Sequence, residues 1–310
     1  MELSDVRCLV VLGLRRSGRP AALLARRELP AARVVALDEG AAPRDDTLTV
    51  LGAAGVEVLT GPAAVLPGDA QLLVKSPGVP DSSAAVREAV RRGLPVWSEV
   101  EFAARFLRNP VIGITGTNGK TTTTALTGAI LRDAGLPVAV GGNIGYALAA
   151  MPGEIAPDAT VVAELSSFQL EHIERFRPAV AVLLNLTEDH LDRHGTYRAY
   201  VDAKLRILEF QTPDDVALLC ADDAGILAEW EVGRLTAGAR RGWFSAVEDV
   251  AEGPGGEELV AGLEGDVLWV RRGGELRRLC RRDELALRGD HNVLNSLAAA
   301  GYDTESAIAA

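Results

Sequence analysis

PVIGITGTNGKTTTT, residues 110–124, decides the fold of this chain. Val111 to Ile114 read as a buried apolar strand, and Gly116, Asn118 and Gly119 build the turn that follows. Lys120 and a run of threonines then open a helix that continues through Ala125, Leu126 and Ile130. A glycine-rich turn between a strand and a helix N-terminus offers backbone N–H groups and the positive end of the helix dipole to an anion. Lys120 adds a point charge for the outer phosphates, and Thr121 offers a hydroxyl to a magnesium ion. The spacing departs from G-x-x-x-x-G-K-[S/T], because Ile114 holds the first glycine position and Gly116 lies inside the loop. Strand, turn, lysine and helix nevertheless fall in the required order, so the stretch reads as a nucleotide-phosphate site.

Around that loop, 310 residues suggest about two domains, each long enough to bury its own core. A net charge of −11 argues against sequence-independent nucleic-acid binding, which needs a basic face. No apolar run approaches the ~18 residues of a membrane span. The opening MELSDVRCLV lacks the basic-then-apolar layout of a signal peptide. Cys8, Cys220 and Cys280 form no metal-binding spacing and sit in apolar runs, so buried thiols in a reducing cytoplasm are expected. A cytoplasmic chain with neither nucleic acid nor membrane as partner is expected; a monomer is the expectation for its oligomeric state, which these features leave open. One count ranks positions: among 32 basic residues only Lys75, Lys120 and Lys204 are lysines. Lysine, unlike arginine, sheds its proton readily and reacts as an amine.

Taken in order, RCLVVLGL reads as a first strand, followed by the turn Arg15-Arg16-Ser17-Gly18 and a helix from Pro20 to Arg27. A second strand, RVVALDEG, ends at Asp38 and Glu39, about 25 residues after Gly13, the layout of a Rossmann-like half. GVEVLT and QLLVKSPGV follow, the latter breaking at Ser76-Pro77-Gly78. A helix from Asp81 to Gly93 has Asp81 or Ser82 as its cap and Gly93 as its stop, and LPVWSEV closes the set. This alternation over residues 1–98 implies a parallel sheet, with ligands at the carboxyl ends of its strands. The expected division is therefore an N-terminal Rossmann-like domain (1–98) and a central nucleotide-binding domain (99–310).

The fold class expected is α/β, the second sheet mainly parallel with a small antiparallel edge region. Glu99 to Arg108 reads as a connecting helix, and strands end at Glu164 and Leu184. A helix spans Thr196 to Phe210, residues 231–288 form antiparallel hairpins at the edge, and a last helix starts near Asn292. Glu164, at a strand's carboxyl end, would pair with Thr121 as magnesium ligands; the plain alternative is an acid capping the next helix. Asp189-His190 follows the next strand at its carboxyl end, where a metal or phosphate role stands beside the plain alternative of a hydrogen-bonded bystander. Lys204 shares a helical face with Tyr197, Tyr200, Val201, Leu205 and Leu208, so it must snorkel, pair with an acid or deprotonate. A neutral amine there can react with carbon dioxide and become a carbamate, a new anionic metal ligand.

TGTNGKTT (115–122), GGNIG (141–145), ELSSFQLE (164–171), NLTEDHLDRHG (185–195), AKLRI (203–207) and GDHNVLN (289–295) together resemble the Mur ligases. They lie in order between residues 115 and 295. GGNIG with ELSSFQLE looks like the branch that joins D-glutamate to UDP-N-acetylmuramoyl-L-alanine in peptidoglycan precursor synthesis. The resemblance implies that Gly116, Thr117, Asn118, Gly119, Lys120, Thr121 and Thr122 hold the ATP phosphates, with Asn292 and Asn295 at the adenine. It implies two magnesium ions, one on Thr121 and Glu164, the other on His190 and carbamylated Lys204. Lys120, Glu164, His190 and Lys204 would form the catalytic set. Ser17, Gly18, Asp38, Ser76 and Gly78 would line the UDP site, and Asn143 would contact the nucleotide-sugar or phosphate region. Glu39-Gly40 departs from the family's Thr-Arg at that place.

The family's third, amino-acid-binding domain has no counterpart in these residues, so the expectation is a chain that binds both nucleotides and forms little product alone. Three rival readings stay open. Folylpolyglutamate synthetases share the TGTNGK loop but lack a first domain of the type seen in residues 1–98. The second is a catalytically silent nucleotide-binding module, and the third a generic P-loop kinase, which would need no carbamate.

Overall fold

The computed structural model describes residues 2–301, except 41, 42, 44, 45, 236, 237, 249, 251, 258 and 273. The tail of the stretch read as the last helix, residues 302–310, lies outside the described residues. Two compact units emerge: Met1–Arg108 with Tyr146–Ile155 and Phe168–Phe176, and Asn109–Gly145 with Ala156–Ser167 and Arg177–Ala310. The sequence division was drawn at residue 98; residues 99–108 and the two short segments instead pack with the first unit.

The first unit is a five-stranded parallel sheet in the order β3-β2-β1-β4-β5. Its strands are β1 (Cys8–Leu12), β2 (Arg33–Asp38), β3 (Glu57–Thr60), β4 (Leu72–Lys75) and β5 (Val96–Ser98). Every residue of β1 and β4 is buried, as expected for strands covered on both faces. Cys8, Val10 and Leu12 share a face with Val35, Leu37 and Leu73. That face packs against Ala85, Val86 and Ala89 of α3 (Ala84–Arg91). α1 (Gly18–Glu28) buries Ala21, Ala22, Leu24 and Ala25, and α2 is Thr47–Ala53.

The cap of α3 is Ser83 rather than Asp81 or Ser82: its Oγ accepts the Val86 N–H at 3.3 Å. Asp81 is unavailable because its carboxylate is taken by Lys75 and His172. Glu39, the residue that departs from the family pattern, reaches the same helix end and accepts the Ala85 N–H at 2.7 Å. Ser83→Ala is expected to destabilise the first unit by about 1 kcal/mol, while Ser82→Ala leaves it unchanged. Urea midpoints of the two variants, read side by side, check this.

α4 (Glu99–Ala104) is capped by Ser98, whose Oγ accepts the Glu101 N–H at 3.1 Å. Glu101 is fully buried, and one of its oxygens accepts the N–H groups of Glu174, Arg175 and Phe176 at 2.8–2.9 Å. The other oxygen takes Arg105 Nε at 2.5 Å, so this buried carboxylate is fully compensated and pins residues 174–176.

The second unit is a nine-stranded sheet in the order β14-β13-β12-β11-β10-β9-β6-β8-β7. Its strands are β6 (Val111–Thr115), β7 (Val138–Gly142), β8 (Thr160–Glu164), β9 (Val180–Leu183), β10 (Val216–Cys220), β11 (Arg240–Glu248), β12 (Leu259–Glu264), β13 (Val267–Arg272) and β14 (Glu275–Arg281). β6 is central, flanked by β8 and β9, and all five of its residues are buried. β7 to β12 run parallel; only β12-β13-β14 is antiparallel. The antiparallel region is thus narrower than the sequence suggested. β11 carries the fully buried Trp243 and Phe244 and extends the parallel core instead.

The helices of this unit are α5 (Lys120–Asp133), α7 (Leu191–His194), α8 (Tyr197–Leu205), α9 (Ala224–Glu231) and α10 (Asp290–Ala300); α6 (Ser167–Leu170) falls mostly to the first unit. α8 gives way to a 3-10 turn at Arg206–Leu208, so the helix is shorter than the expected Thr196–Phe210. Edge strand β14 is exposed over most of its length, and Cys280 on it is only half-buried. Cys8 and Cys220 are buried as expected. No helix among the described residues is long and apolar enough to cross a membrane.

Candidate active site

The loop between β6 and α5 is held from two sides. Thr117 N–H donates to the Asn185 carbonyl at 3.0 Å, and Asn118 N–H to the Asn185 side-chain oxygen at 2.7 Å. Asn185 returns its amide to the Asn118 carbonyl at 3.1 Å. Thr117 Oγ1 meets Thr187 and the Tyr200 hydroxyl, the latter at 2.8 Å. Gly119 caps α5 at φ +83°, a left-handed conformation that glycine adopts without strain. A Cβ at Gly119 would also lie 2.3 Å from Asn295 Oδ1.

Two of the three lysines converge on this loop. Lys120 folds back and donates to the carbonyls of Gly116 (2.9 Å) and Thr117 (2.7 Å). Lys204, 2% exposed, projects from α8 and donates to the same Gly116 oxygen at 2.7 Å. Its ammonium stands 4.7 Å from the centre of the Tyr200 ring. Burial first, and the charge of Lys120 second, pull the Lys204 pKa down to about 7, against the opposing pull of Asp189 and Glu164. Burial also lowers Lys120, partly offset by Glu164 and Asp189. Tyr200 is pushed up to about 12 by burial, so its hydroxyl stays protonated.

Glu164, 2% exposed at the end of β8, is the meeting point of two other expected residues. Its oxygens accept Thr121 Oγ1 at 2.7 Å and Asn143 Nδ2 at 2.8 Å. It caps no helix through these bonds. Asn143 therefore belongs beside Glu164 in the second unit. Oxygen donors on Thr121 and Glu164, already within hydrogen-bond distance of each other, fit a small hard cation such as magnesium.

The remaining expected residues of this unit are held as follows. Asn295 is buried and committed internally, accepting from Thr123 Oγ1 at 3.2 Å and donating to Asn292 Oδ1 at 3.0 Å. Asn292 also donates to the Arg288 carbonyl at 2.8 Å. Together they tie α10 to α5. His190 is exposed at φ +50° at the start of α7, with its ring 3.5 Å from its neighbour Asp189 and 6.4 Å from the Tyr200 ring centre. Thr122 is half-buried in the first turn of α5.

In the first unit, Asp38 accepts the N–H groups of Leu14 and Gly40, each at 2.9 Å. Ser76 Oγ donates to the Gly13 carbonyl at 2.9 Å. Ser17 precedes α1, Gly18 opens it and is buried, and Gly78 is exposed with open space around it. Among the described residues, one cluster of His, Asp and Glu side chains has metal-ligand spacing: Asp81, Glu171 and His172. Neither Glu164 nor His190 belongs to it.

Sequence reading missed Asn185, Tyr200 as a loop partner, and a Ser167–His194 hydrogen bond of 2.9 Å. The only available signal was their place in NLTEDHLDRHG, ELSSFQLE and the helix that carries Lys204.

Residues 114–302, more than half of the chain, match the model of the Mur ligase middle domain. The chain belongs to the Mur ligase family. This Mur ligase chain is 43% identical, over 94% of its length, to the UDP-N-acetylmuramoylalanine--D-glutamate ligase of Pelotomaculum thermopropionicum. It is 45% identical, over 96% of its length, to the protein of the same name from Anaeromyxobacter dehalogenans. It spans 61% and 63% of the length of those two relatives. In fold it is similar to a Neisseria meningitides UDP-N-acetylmuramate:L-alanyl-gamma-D-glutamyl-meso-diaminopimelate ligase, with a TM-score of 0.58 at 19% identity over 95% of this chain and 92% of that one. A murein peptide ligase from Psychrobacter arcticus gives a TM-score of 0.58 at 20% identity, over 98% of this chain and 67% of that one.

Proposed function

We propose that this chain is the nucleotide-binding part of an ATP-dependent ligase that joins D-glutamate to UDP-N-acetylmuramoyl-L-alanine in cytoplasmic peptidoglycan precursor synthesis. The observation that carries the reading is the pair of lysines on one carbonyl, Gly116 O, in a loop that also places Thr121 on Glu164. Relatives named for that reaction, at 43–45% identity, support the choice of substrates.

In this reading the second unit takes ATP. The N–H groups and lysine of residues 116–122 receive the phosphates, and α10 with Asn292 and Asn295 supports the adenine end. Thr121 and Glu164 would hold one magnesium ion, and His190 with Lys204 a second. Magnesium, when bound, supplies charge neutralisation where a carboxylate must approach the γ-phosphate. Lys204 gains its anionic form when its neutral amine adds to carbon dioxide: a C–N bond forms, one proton leaves, and a carboxylate remains on Nζ. A pKa near 7 makes that neutral amine abundant at physiological pH.

The first unit takes the uridine nucleotide through Ser17, Gly18, Asp38, Ser76 and Gly78. The chemistry then runs in two halves. The substrate carboxylate attacks the γ-phosphorus and ADP departs, leaving an acyl phosphate. The amine of D-glutamate next attacks the acyl carbon, and phosphate leaves as the amide forms.

Calorimetric titration with MgATP and with UDP-N-acetylmuramoyl-L-alanine tests the assignment, with hydroxylamine added to trap acyl phosphate. The expected outcome is saturable binding of both ligands, with hydroxamate formed only when both are present. A chain that binds MgATP and ignores UDP-N-acetylmuramoyl-L-alanine overturns the reading.

A further inference from the structure

The third lysine lies apart from the phosphate loop, in the first unit. Lys75 ends β4, immediately before the Ser76-Pro77-Gly78 turn, and its side chain is 0% exposed. Its ammonium donates to Asp81 at 2.5 Å and lies 3.4 Å from Glu171. His172 Nε2 bonds the same Asp81 carboxylate at 2.9 and 3.0 Å. Burial alone would raise Asp81, but the hydrogen bonds from His172 and Lys75 outweigh it and hold this carboxyl well below the usual range. Asp81, Glu171 and His172 are also the cluster with metal-ligand spacing, yet a cation already sits among them, supplied by the chain itself.

The geometry this enforces is a closed loop. Ser76 is pinned at one end, its N–H to the Leu12 carbonyl and its Oγ to the Gly13 carbonyl, both at 2.9 Å. Asp81 is pinned at the other end by Lys75, five residues after Ser76. The turn between them lies close on the Gly13 turn: a Cβ at Gly13 would come within 2.7 Å of Val79 Cγ2. A compact ammonium with three donors fits such a junction, where a guanidinium fork would need more room. Gly78, at the tip, keeps open space around it.

We propose that Lys75 is a positioning residue for the uridine-nucleotide substrate, clamping Asp81 and Glu171 so that the Ser76–Asp81 loop presents Ser76 and Gly78 in one fixed arrangement. This rests on the reading above that the first unit takes that nucleotide. The two are separable, because loss of substrate binding by the unmodified chain defeats the reading, whereas the clamp is judged on variants of a chain that binds.

The experiment is calorimetric titration of Lys75→Met with UDP-N-acetylmuramoyl-L-alanine and, separately, with MgATP. The clamp predicts at least a tenfold rise in the dissociation constant for the uridine nucleotide, with MgATP affinity within twofold of the unmodified chain. A purely stabilising Lys75 would lower the thermal midpoint and leave both dissociation constants of the folded protein alone, which overturns the proposal. Should the first unit of Lys75→Met fail to fold, as loss of its cooperative urea unfolding transition would reveal, Asp81→Asn decides. It keeps the shape and weakens only the clamp, so weaker uridine-nucleotide binding at unchanged MgATP affinity supports the proposal and unchanged binding overturns it. Stoichiometric Zn²⁺ uptake by the unmodified chain, abolished in His172→Gln, would also overturn it, because the cluster would then serve an ion in place of the ammonium.

Discussion

Lys204→Met is expected to raise the stability of the protein below pH 7 by about 1–4 kcal/mol, the range seen when well-packed apolar residues replace buried charge. Methionine follows the path of the lysine stem and needs no counter-charge. What it gives up is one hydrogen bond to Gly116 O, which keeps its bond from Lys120, and the ammonium over the Tyr200 ring. What it removes is the cost of a buried ammonium, whose pKa falls from 10.5 to about 7.

The sign of the pH dependence follows from that depression. Between about pH 7 and pH 10.5 the unfolded chain holds a proton on Lys204 that the folded chain has released. Stability of the unmodified protein therefore rises through that window, at up to about 1.4 kcal/mol per pH unit from this group. Below pH 7 both states are protonated and the burial cost is fully present. The stability difference between variant and parent should be flat and largest below pH 7, and should shrink as pH rises towards 10. Thermal midpoints of both proteins from pH 6 to pH 9.5 measure it; a difference independent of pH would mean that Lys204 does not titrate in this range. Bicarbonate should stabilise the parent alone, since only its amine can add carbon dioxide.

Lys120→Met is expected to weaken MgATP binding by about 100-fold, which corresponds to about 2.7 kcal/mol. The ammonium is half-buried and already held on Gly116 O and Thr117 O in the free protein, so presenting it to a phosphate costs little new ordering. Two unit charges 4 Å apart at an effective dielectric of 20 attract by about 4 kcal/mol, and part of that is offset by desolvating the nucleotide. Lys120→Arg should recover little, because the planar fork cannot sit across the same two carbonyls in the turn. Calorimetry with ATP and a magnesium excess reads the effect directly; a change below threefold would remove Lys120 from the phosphate site.

How much of this was legible in the sequence depended on whether the signal was local. The turn at 116–119, the buried strand before it, the parallel first sheet and the mainly parallel second one follow from apolar runs and glycine placement, and the structure bears them out. The face of α8 that carries Lys204 was readable from helical spacing, and that face is what delivers the amine to Gly116. What stayed hidden depends on partners that only the fold brings together. Asp81 could not be recognised as lost to α3 without knowing that Lys75 and His172 reach it. The bond to Asn295 from Thr123, 172 residues earlier, is likewise invisible in the sequence. β11 appeared to be one more hairpin strand, since only the packing of Trp243 and Phe244 makes it part of the parallel core.

The scarcity of lysine also has a consequence for handling the protein. Lys75 and Lys204 are 0% and 2% exposed, so an amine-directed reagent applied to the folded chain meets, apart from the N-terminus, little but Lys120. Acylating tags, amine cross-linkers and resin coupling chemistries that usually scatter over a protein surface would here be directed to the phosphate loop. Immobilising the chain through its amines would thus blunt that loop, while coupling through Cys280 or an added tag would leave it open.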